Sequence, residues 1–274
     1  MSKIRSCFVT FIILFFIGSL VFLCVLASSS GLFSSKDLLF LGIDEREGGS
    51  DFKGRTDTIV ILHVNKMGKK DMLISIPRDT RVYLEGHGWN KINAAYVYGG
   101  VEMTKSEIFE LTGIDVNKYM IINFDGFKDI IDLLGGVEIT VSEPLHDPLS
   151  GANFDPGTYH MNGEQALSFA RCRATARADL DRIDRQQYLL KALISQKLNL
   201  SALLKLPEII SVINEKTLSD FSLLDYLTVG LILSLSNKDM DMITIPTKPA
   251  NIDGISYLIA DEKEVKAFLK EHLD

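Results

Sequence analysis

The sequence is poor in cysteine, tryptophan and histidine, and it carries no excess of positive charge. Its 274 residues include three cysteines, one tryptophan and five histidines, with a formal net charge of −7. Cys7 and Cys24 fall in or beside an apolar N-terminal run, which leaves Cys172 alone in the rest of the chain. No disulfide can close there, so stability must come from packing. The acidic balance excludes general attraction to nucleic acid, which needs a broadly basic surface. Any basic site has to be local. His63, His87, His146, His160 and His272 lack metal-ligand spacing, and no Walker loop, G-x-S-x-G elbow or paired-cysteine zinc motif occurs.

What is present is a core. Hydrophobic residues make up 46% of the chain and aromatics 9%, enough to bury a sizeable interior. Phe8 to Leu26 is an uncharged run of 19 residues preceded by Lys3 and Arg5, long enough as a helix to cross a ~30 Å hydrocarbon layer. With the positive charges held inside, this predicts a cytoplasmic tail over 1–7, a transmembrane anchor over 8–26, a Ser- and Gly-containing linker over 27–36, and one extracellular domain over 37–274. Leu23 stands where lipid attachment to Cys24 would require a small side chain.

Short runs rich in Val, Ile and Leu at Asp37–Ile43, Thr58–Asn65, Asp71–Ile76, Tyr119–Asn123 and Val137–Val141 predict strands. Helical spacing at Val101–Leu111 and Phe124–Leu134 is followed by the stop signals Gly113 and Gly135-Gly136. Asn162 and Gln165 form a capping-box start to a helix ending near Arg171. Further helices are expected over 179–198 and 206–236, then a strand at Asp241–Ile245 and a terminal amphipathic helix over 261–273. The fold class is therefore α/β, a single mixed domain with a central sheet flanked by helices.

The ten arginines are clustered: beyond Arg5 they are Arg46 with Arg55, Arg78 with Arg81, and Arg171, Arg173, Arg177, Arg182 and Arg185. Arginine is favoured where a planar fork grips phosphate or carboxylate, so the clustering points to an anionic ligand. Arg81 is expected to be an ordinary exposed member. On a helix from Asp179, residues Asp179, Arg182 and Gln186 share an arc of about 60°, and Leu189, Leu190 and Leu193 continue that face. Charges on a core-facing stripe predict a polar pocket floored by apolar residues, and Asp179 and Arg182 are spaced to pair. If the chain is extended at Arg171-Cys172-Arg173, the two arginines project to one side and Cys172 to the other. That direction makes Cys172 a packed residue rather than a nucleophile. Asp44 and Asp57, at strand ends, have the oxygen chemistry to hold Mg²⁺.

Leu41-Gly42-Ile43-Asp44, Arg55-Thr56-Asp57-Thr58, Ser75-Ile76-Pro77-Arg78-Asp79-Thr80 and Lys91-Ile92-Asn93-Ala94-Ala95-Tyr96 follow one another in order. So do Asn123-Phe124-Asp125-Gly126-Phe127, Leu134-Gly135-Gly136-Val137, Arg171-Cys172-Arg173 and Asp179 through Gln186. Together these resemble the LytR-CpsA-Psr family of bacterial cell-wall proteins, from about Asp37 to Leu198. The resemblance implies a Mg²⁺-dependent phosphotransferase that moves an anionic glycopolymer, teichoic acid or capsule, from undecaprenyl-pyrophosphate to peptidoglycan at the membrane, with no nucleic-acid partner. It further implies catalytic roles for Asp44, Asp57 and Asp179, a metal on Asp44 and Asp57, and pyrophosphate binding by Arg55, Arg78, Lys91, Arg171, Arg173, Arg182 and Gln186. A pyrophosphatase or a non-catalytic lipid-linked glycan binder would use the same residues. Cys172 stands where the family usually has a larger side chain, and the short loop from Arg173 to Asp179 leaves Arg177 unassigned.

Overall fold

The computed structural model describes residues 36–44, 52–65, 70–175, 179–197, 210–211, 213, 215–227 and 240–273. The expected tail, anchor and all but the last linker residue lie outside these, as do Arg46 and Arg177. Among the described residues no helix is long and apolar enough to cross a membrane.

Strands β1 (Lys36–Ile43), β2 (Thr56–Val64) and β3 (Met72–Ser75) pair antiparallel in succession. They form the centre of a six-stranded sheet. Strand β6 (Lys118–Ile122) lies parallel to β1, β12 (Asp241–Thr244) lies parallel to β3, and β11 (Thr217–Ser219) closes the edge beside β6. The first, second, third, sixth and twelfth strands match the expected runs to within about two residues.

Alternation along the central strands sends successive side chains to opposite faces. Leu39, Leu41, Ile43, Ile59, Ile61 and Ile74 pack on one face under helices α1 (Ala95–Thr112) and α5 (Glu262–Leu273), which supply Ile108, Leu111, Val265 and Leu269. Gly99 and Gly100 break α1, with Gly100 at φ +63°, a backbone that side chains resist. The regular part of the helix thus starts where its hydrophobic spacing does, at Val101.

The opposite face bears Leu38, Val60, Leu62 and Leu73, covered in part by Leu190 and Ile194 of α4 (Asp179–Lys197). Helices α2 (Phe124–Leu133) and α3 (Gly163–Arg171) join α4 on this side. Both begin on side-chain caps. Asn123 accepts the Gly126 N–H, and Asn162 with Gln165 forms the full capping box. A Cβ on Gly163 would lie 2.3 Å from the Lys128 carbonyl oxygen, so α3 can approach α2 this closely only with glycine there.

Two expectations need correction. Over 206–236, Thr217–Ser219 is an edge strand rather than helix, because its backbone pairs with β6, although residues 223–227 are helical. The hairpins β4–β5 (Arg81–Leu84, Gly88–Lys91), β8–β9 (Leu145–Asp147, Ala152–Phe154) and β13–β14 (Lys248–Ile252, Ile255–Ile259) are additional to the expected strands, as is β10 (Gly157–Met161), whose partner β7 (Val137–Val141) has the expected bounds. These short segments mix polar and apolar residues and fold through cross-strand partners rather than their own pattern.

Candidate active site

Between the sheet and helices α2, α3 and α4 lies a cavity of about 250 Å³. Phe40, Gly42, Thr58, Val60, Met120 and Ile122, alternate residues of three adjacent strands, form most of its sheet wall, to which Leu41 also contributes. Leu189, Leu190 and Leu193 of α4 line the helix wall with Phe127, Ile130 and Leu167. The leucine stripe expected to floor a pocket does so.

Gly42 and Thr58 are register partners, and a β-bulge follows them, where Ile43 pairs with Thr56 and leaves Asp57 outside the ladder. A Cβ on Gly42 would meet the Thr58 Cβ at 3.1 Å, so glycine keeps this end of the cavity open. Asp44 follows directly and is exposed, its N–H donating to the Arg55 carbonyl at 3.2 Å. The Arg55 side chain is exposed. The bulge thereby turns Asp57 out of the sheet toward Arg78, whose Nη1 donates to Asp57 Oδ1 at 2.7 Å. Asp79 extends the network, 3.8 Å from Arg78 Nε and 2.8 Å from Lys91 Nζ. The pairs are about one-fifth exposed, so the charges are partly screened but their geometry is fixed on both sides.

From the helices come Arg171 and Gln186, both lining the cavity. The Arg171 guanidinium carbon sits 4.5 Å from the centroid of the Phe124 ring, a cation–π contact that orients the fork. Gln186 Nε2 donates to the Ala170 carbonyl at 3.5 Å. Arg182, on the same face of α4, is 3% exposed. Asp179 opens α4, but its side chain and therefore its expected pairing with Arg182 lie outside the described residues.

Arg171 is the last residue of α3, and Cys172 is extended at φ −56°, ψ 133°. Arg171 and Arg173 are exposed whereas Cys172 is wholly buried among Phe169, Leu189 and Ala192. The alternation expected for this tripeptide holds, and the thiol is packed away from the arginines. Two further residues hold the turn. Asp147 accepts the Arg173 N–H at 2.8 Å and the Leu149 N–H at 3.0 Å. The Arg173 N–H, aided by those of Leu149 and Ser150 and the Ser150 hydroxyl, holds its carboxyl below the ordinary Asp range against the opposing effect of burial. Arg185 donates to the Cys172 carbonyl and reaches Thr175 Oγ1 at 3.4 Å.

Local pattern assigns no role to Asp79, Asp147 or Arg185. Asp79 is marked only by its neighbour Arg78, while Asp147 acts across 26 residues of chain, which no local pattern reveals. Arg81 also departs from expectation. It is half-buried, its guanidinium 4.2 Å over the Trp89 ring and 5.7 Å from the Tyr257 ring.

The family model described as the LytR_cpsA_psr family matches residues 32–273. The chain is 32% identical over 244 residues to a polyisoprenyl-teichoic acid–peptidoglycan teichoic acid transferase TagU of Oceanobacillus iheyensis, covering 85% of this chain and 75% of that one. Its fold is similar to the crystal structure of Bacillus subtilis TagV, with a TM-score of 0.76 and 31% identity over 88% of this chain and 98% of that one. It is also similar to the family protein YwtF (TagT) with bound octaprenyl pyrophosphate lipid, with a TM-score of 0.66 and 25% identity over 88% and 90% of the two chains.

Proposed function

The chain belongs to the LytR_cpsA_psr family, and from that premise we propose that it is a phosphotransferase that moves an anionic glycopolymer from a polyprenyl-pyrophosphate carrier to peptidoglycan during cell-wall assembly. One observation carries this reading: a cavity with apolar walls includes Arg171 and Gln186 in its lining, and Thr58 of its sheet wall adjoins Asp57, which accepts from Arg78. Such a site suits an amphiphile with a long hydrocarbon tail and a multiply charged head. Burial of isoprene units along Phe40, Leu189 and Leu193 contributes about 25 cal/mol per Å², while the arginines address the diphosphate.

In the reaction, an acceptor sugar hydroxyl attacks the phosphorus that carries the glycopolymer. A P–O bond to the acceptor forms, the bond to the bridging oxygen breaks, and prenyl phosphate leaves. The hydroxyl proton passes to Asp44 or Asp179, the carboxylates assigned as base. Arg55, Arg78, Lys91, Arg171, Arg173 and Arg182 neutralise charge on the diphosphate, and Gln186 donates to it. Phosphoryl transfer asks chiefly for such positioning, so no protein nucleophile is needed.

Asp44 and Asp57 fit Mg²⁺. They supply hard oxygen ligands on adjacent strand ends, and two carboxylates suffice for an ion that keeps waters and takes substrate phosphate oxygens. Among the described residues no group of three or more His, Cys, Asp or Glu side chains forms a closed cage. Bound there, the ion would neutralise diphosphate charge. The anchor proposed for Phe8–Leu26 would hold the domain at the outer membrane surface, where the carrier lipid resides.

The test is incubation of the full chain with a lipid-linked glycopolymer, Mg²⁺ and peptidoglycan fragments. Polymer covalently joined to the fragments is the expected product. Free polymer phosphate in its place would make the protein a pyrophosphatase.

A further inference from the structure

The hairpin β4–β5 carries a second feature that the pyrophosphate site does not use. Val82 and Leu84 turn inward and are buried. The alternate residues form the outer face, where Arg81 lies opposite Lys91 and Tyr83 opposite Trp89. Tyr83 and Trp89 are 58% and 56% exposed and meet edge to face with centroids 5.6 Å apart. Arg81 lies over Trp89, with Tyr257 of β14 as its other aromatic neighbour. This is an aromatic platform held in place by a cation, not a loose patch.

Two properties say what it fits. In a chain of net charge −7, no carboxylate among the described residues pairs with Arg81; only ring faces hold it. Its charge is available to an anion. The strip is also continuous with the site already described, because Lys91, two residues from Trp89 on the same face, bonds to Asp79, which contacts Arg78. Moving outward from Arg78 a ligand would meet Lys91, then Arg81, then Trp89 and Tyr83. Sugar rings present weakly positive C–H faces that stack on the negative face of an aromatic ring, and phosphodiesters match the arginine fork.

Resting on the reading of the pyrophosphate site above, we propose that this hairpin face is a subsite for the phosphate-bearing sugar chain of the glycopolymer beyond its pyrophosphate. A membrane surface suits it less well. The hairpin tip, Glu85-Gly86-His87, is polar and exposed, and the aromatics lie on its flank between Arg81 and Lys91.

Trp89 is the single tryptophan of the chain, so its fluorescence reads this surface directly. The full chain in detergent solution is titrated with lipid-free teichoic acid oligomers that carry both phosphodiesters and N-acetylamino sugars. Prenyl pyrophosphate lacking sugar is titrated in parallel by calorimetry. A saturable change in Trp89 emission that weakens with salt is expected. Arg81→Gln should lower oligomer affinity roughly tenfold, as expected for losing a charge-assisted hydrogen bond, and Tyr83→Ala should lower it severalfold. Both variants should bind prenyl pyrophosphate as the parent does. No emission change with oligomers, while prenyl pyrophosphate still binds, overturns this inference alone. Failure of prenyl pyrophosphate to bind the parent chain overturns the reading beneath it. An equal response to dephosphorylated oligomers, to peptidoglycan fragments or to phosphatidylglycerol vesicles also overturns the assignment to the phosphate-bearing chain.

Discussion

The Asp147 carboxylate accepts the backbone N–H of Arg173 at 2.8 Å, linking the β8–β9 hairpin to the turn that presents the two exposed arginines. Because the same group also holds Leu149 and Ser150, it ties two loops at once. Its lowered pKa means that the folded state favours the ionised form. This stabilisation is complete above the ordinary Asp value of about 3.9 and is lost as pH falls through the lowered folded value. Asp147→Asn should therefore be less stable than the parent at neutral pH by about 2 kcal/mol, the size of a charge-assisted hydrogen bond. Thermal melts from neutral to acid pH check this, and the gap between the two proteins should close on the acid side. A gap that stays constant would mean that Asp147 acts through shape rather than charge.

Much of the scaffold was legible because its signals are local. Leu38 to Ile43 alternates between two buried faces, Asn162 and Gln165 cap α3 reciprocally, and Leu189, Leu190 and Leu193 form one helical stripe. The arginine tripeptide was legible for the same reason. Asp147, Asp79 and the Arg81 stack were not, since each depends on a partner that only the fold brings close. Arg81 is adjacent to a motif and charged, and nothing in its neighbourhood announces that it will lie over Trp89 and beside Tyr257.

The cavity makes a steric prediction. Ala170 lines it and is nearly buried, so Ala170→Phe would place a ring where the prenyl chain is proposed to run. Displacing about 100 Å² of apolar contact costs roughly 2.5 kcal/mol, between tenfold and a hundredfold in affinity. Calorimetric titration with prenyl pyrophosphate should show this loss, while inorganic pyrophosphate should bind as before and the melting temperature should hold. Unchanged prenyl affinity in a folded variant would place the lipid elsewhere.

The metal proposal concerns Asp44 and Asp57. Excess chelator should abolish transfer, and added Mg²⁺ should restore it. Mn²⁺, which favours similar oxygen donors, offers a readout independent of turnover: its free paramagnetic signal should diminish with the parent protein and much less with Asp44→Asn or Asp57→Asn. Full transfer in excess chelator would remove the ion from the mechanism.

The arginine tripeptide gives the sharpest comparison. If Arg171 and Arg173 were ordinary surface charges, Arg171→Ala or Arg173→Lys would change stability by only ~0–1 kcal/mol and leave turnover intact. If they neutralise charge that develops on the diphosphate, each change should cost a few kcal/mol of barrier, roughly a hundredfold or more in rate. Lysine keeps the charge but has no planar two-donor fork, so Arg173→Lys should remain far below the parent. The Arg171 fork is additionally steadied by Phe124, which an ammonium would engage without the same orientation. Arg81 is unsuitable as the comparison because it is half-buried, lying over Trp89 and near Tyr257; exposed Lys263 on α5 serves instead. Turnover and melting temperature of Arg171→Ala, Arg173→Lys and Lys263→Ala, measured side by side, decide the matter. Near-parental turnover in both arginine variants would free this turn from any part in binding the diphosphate.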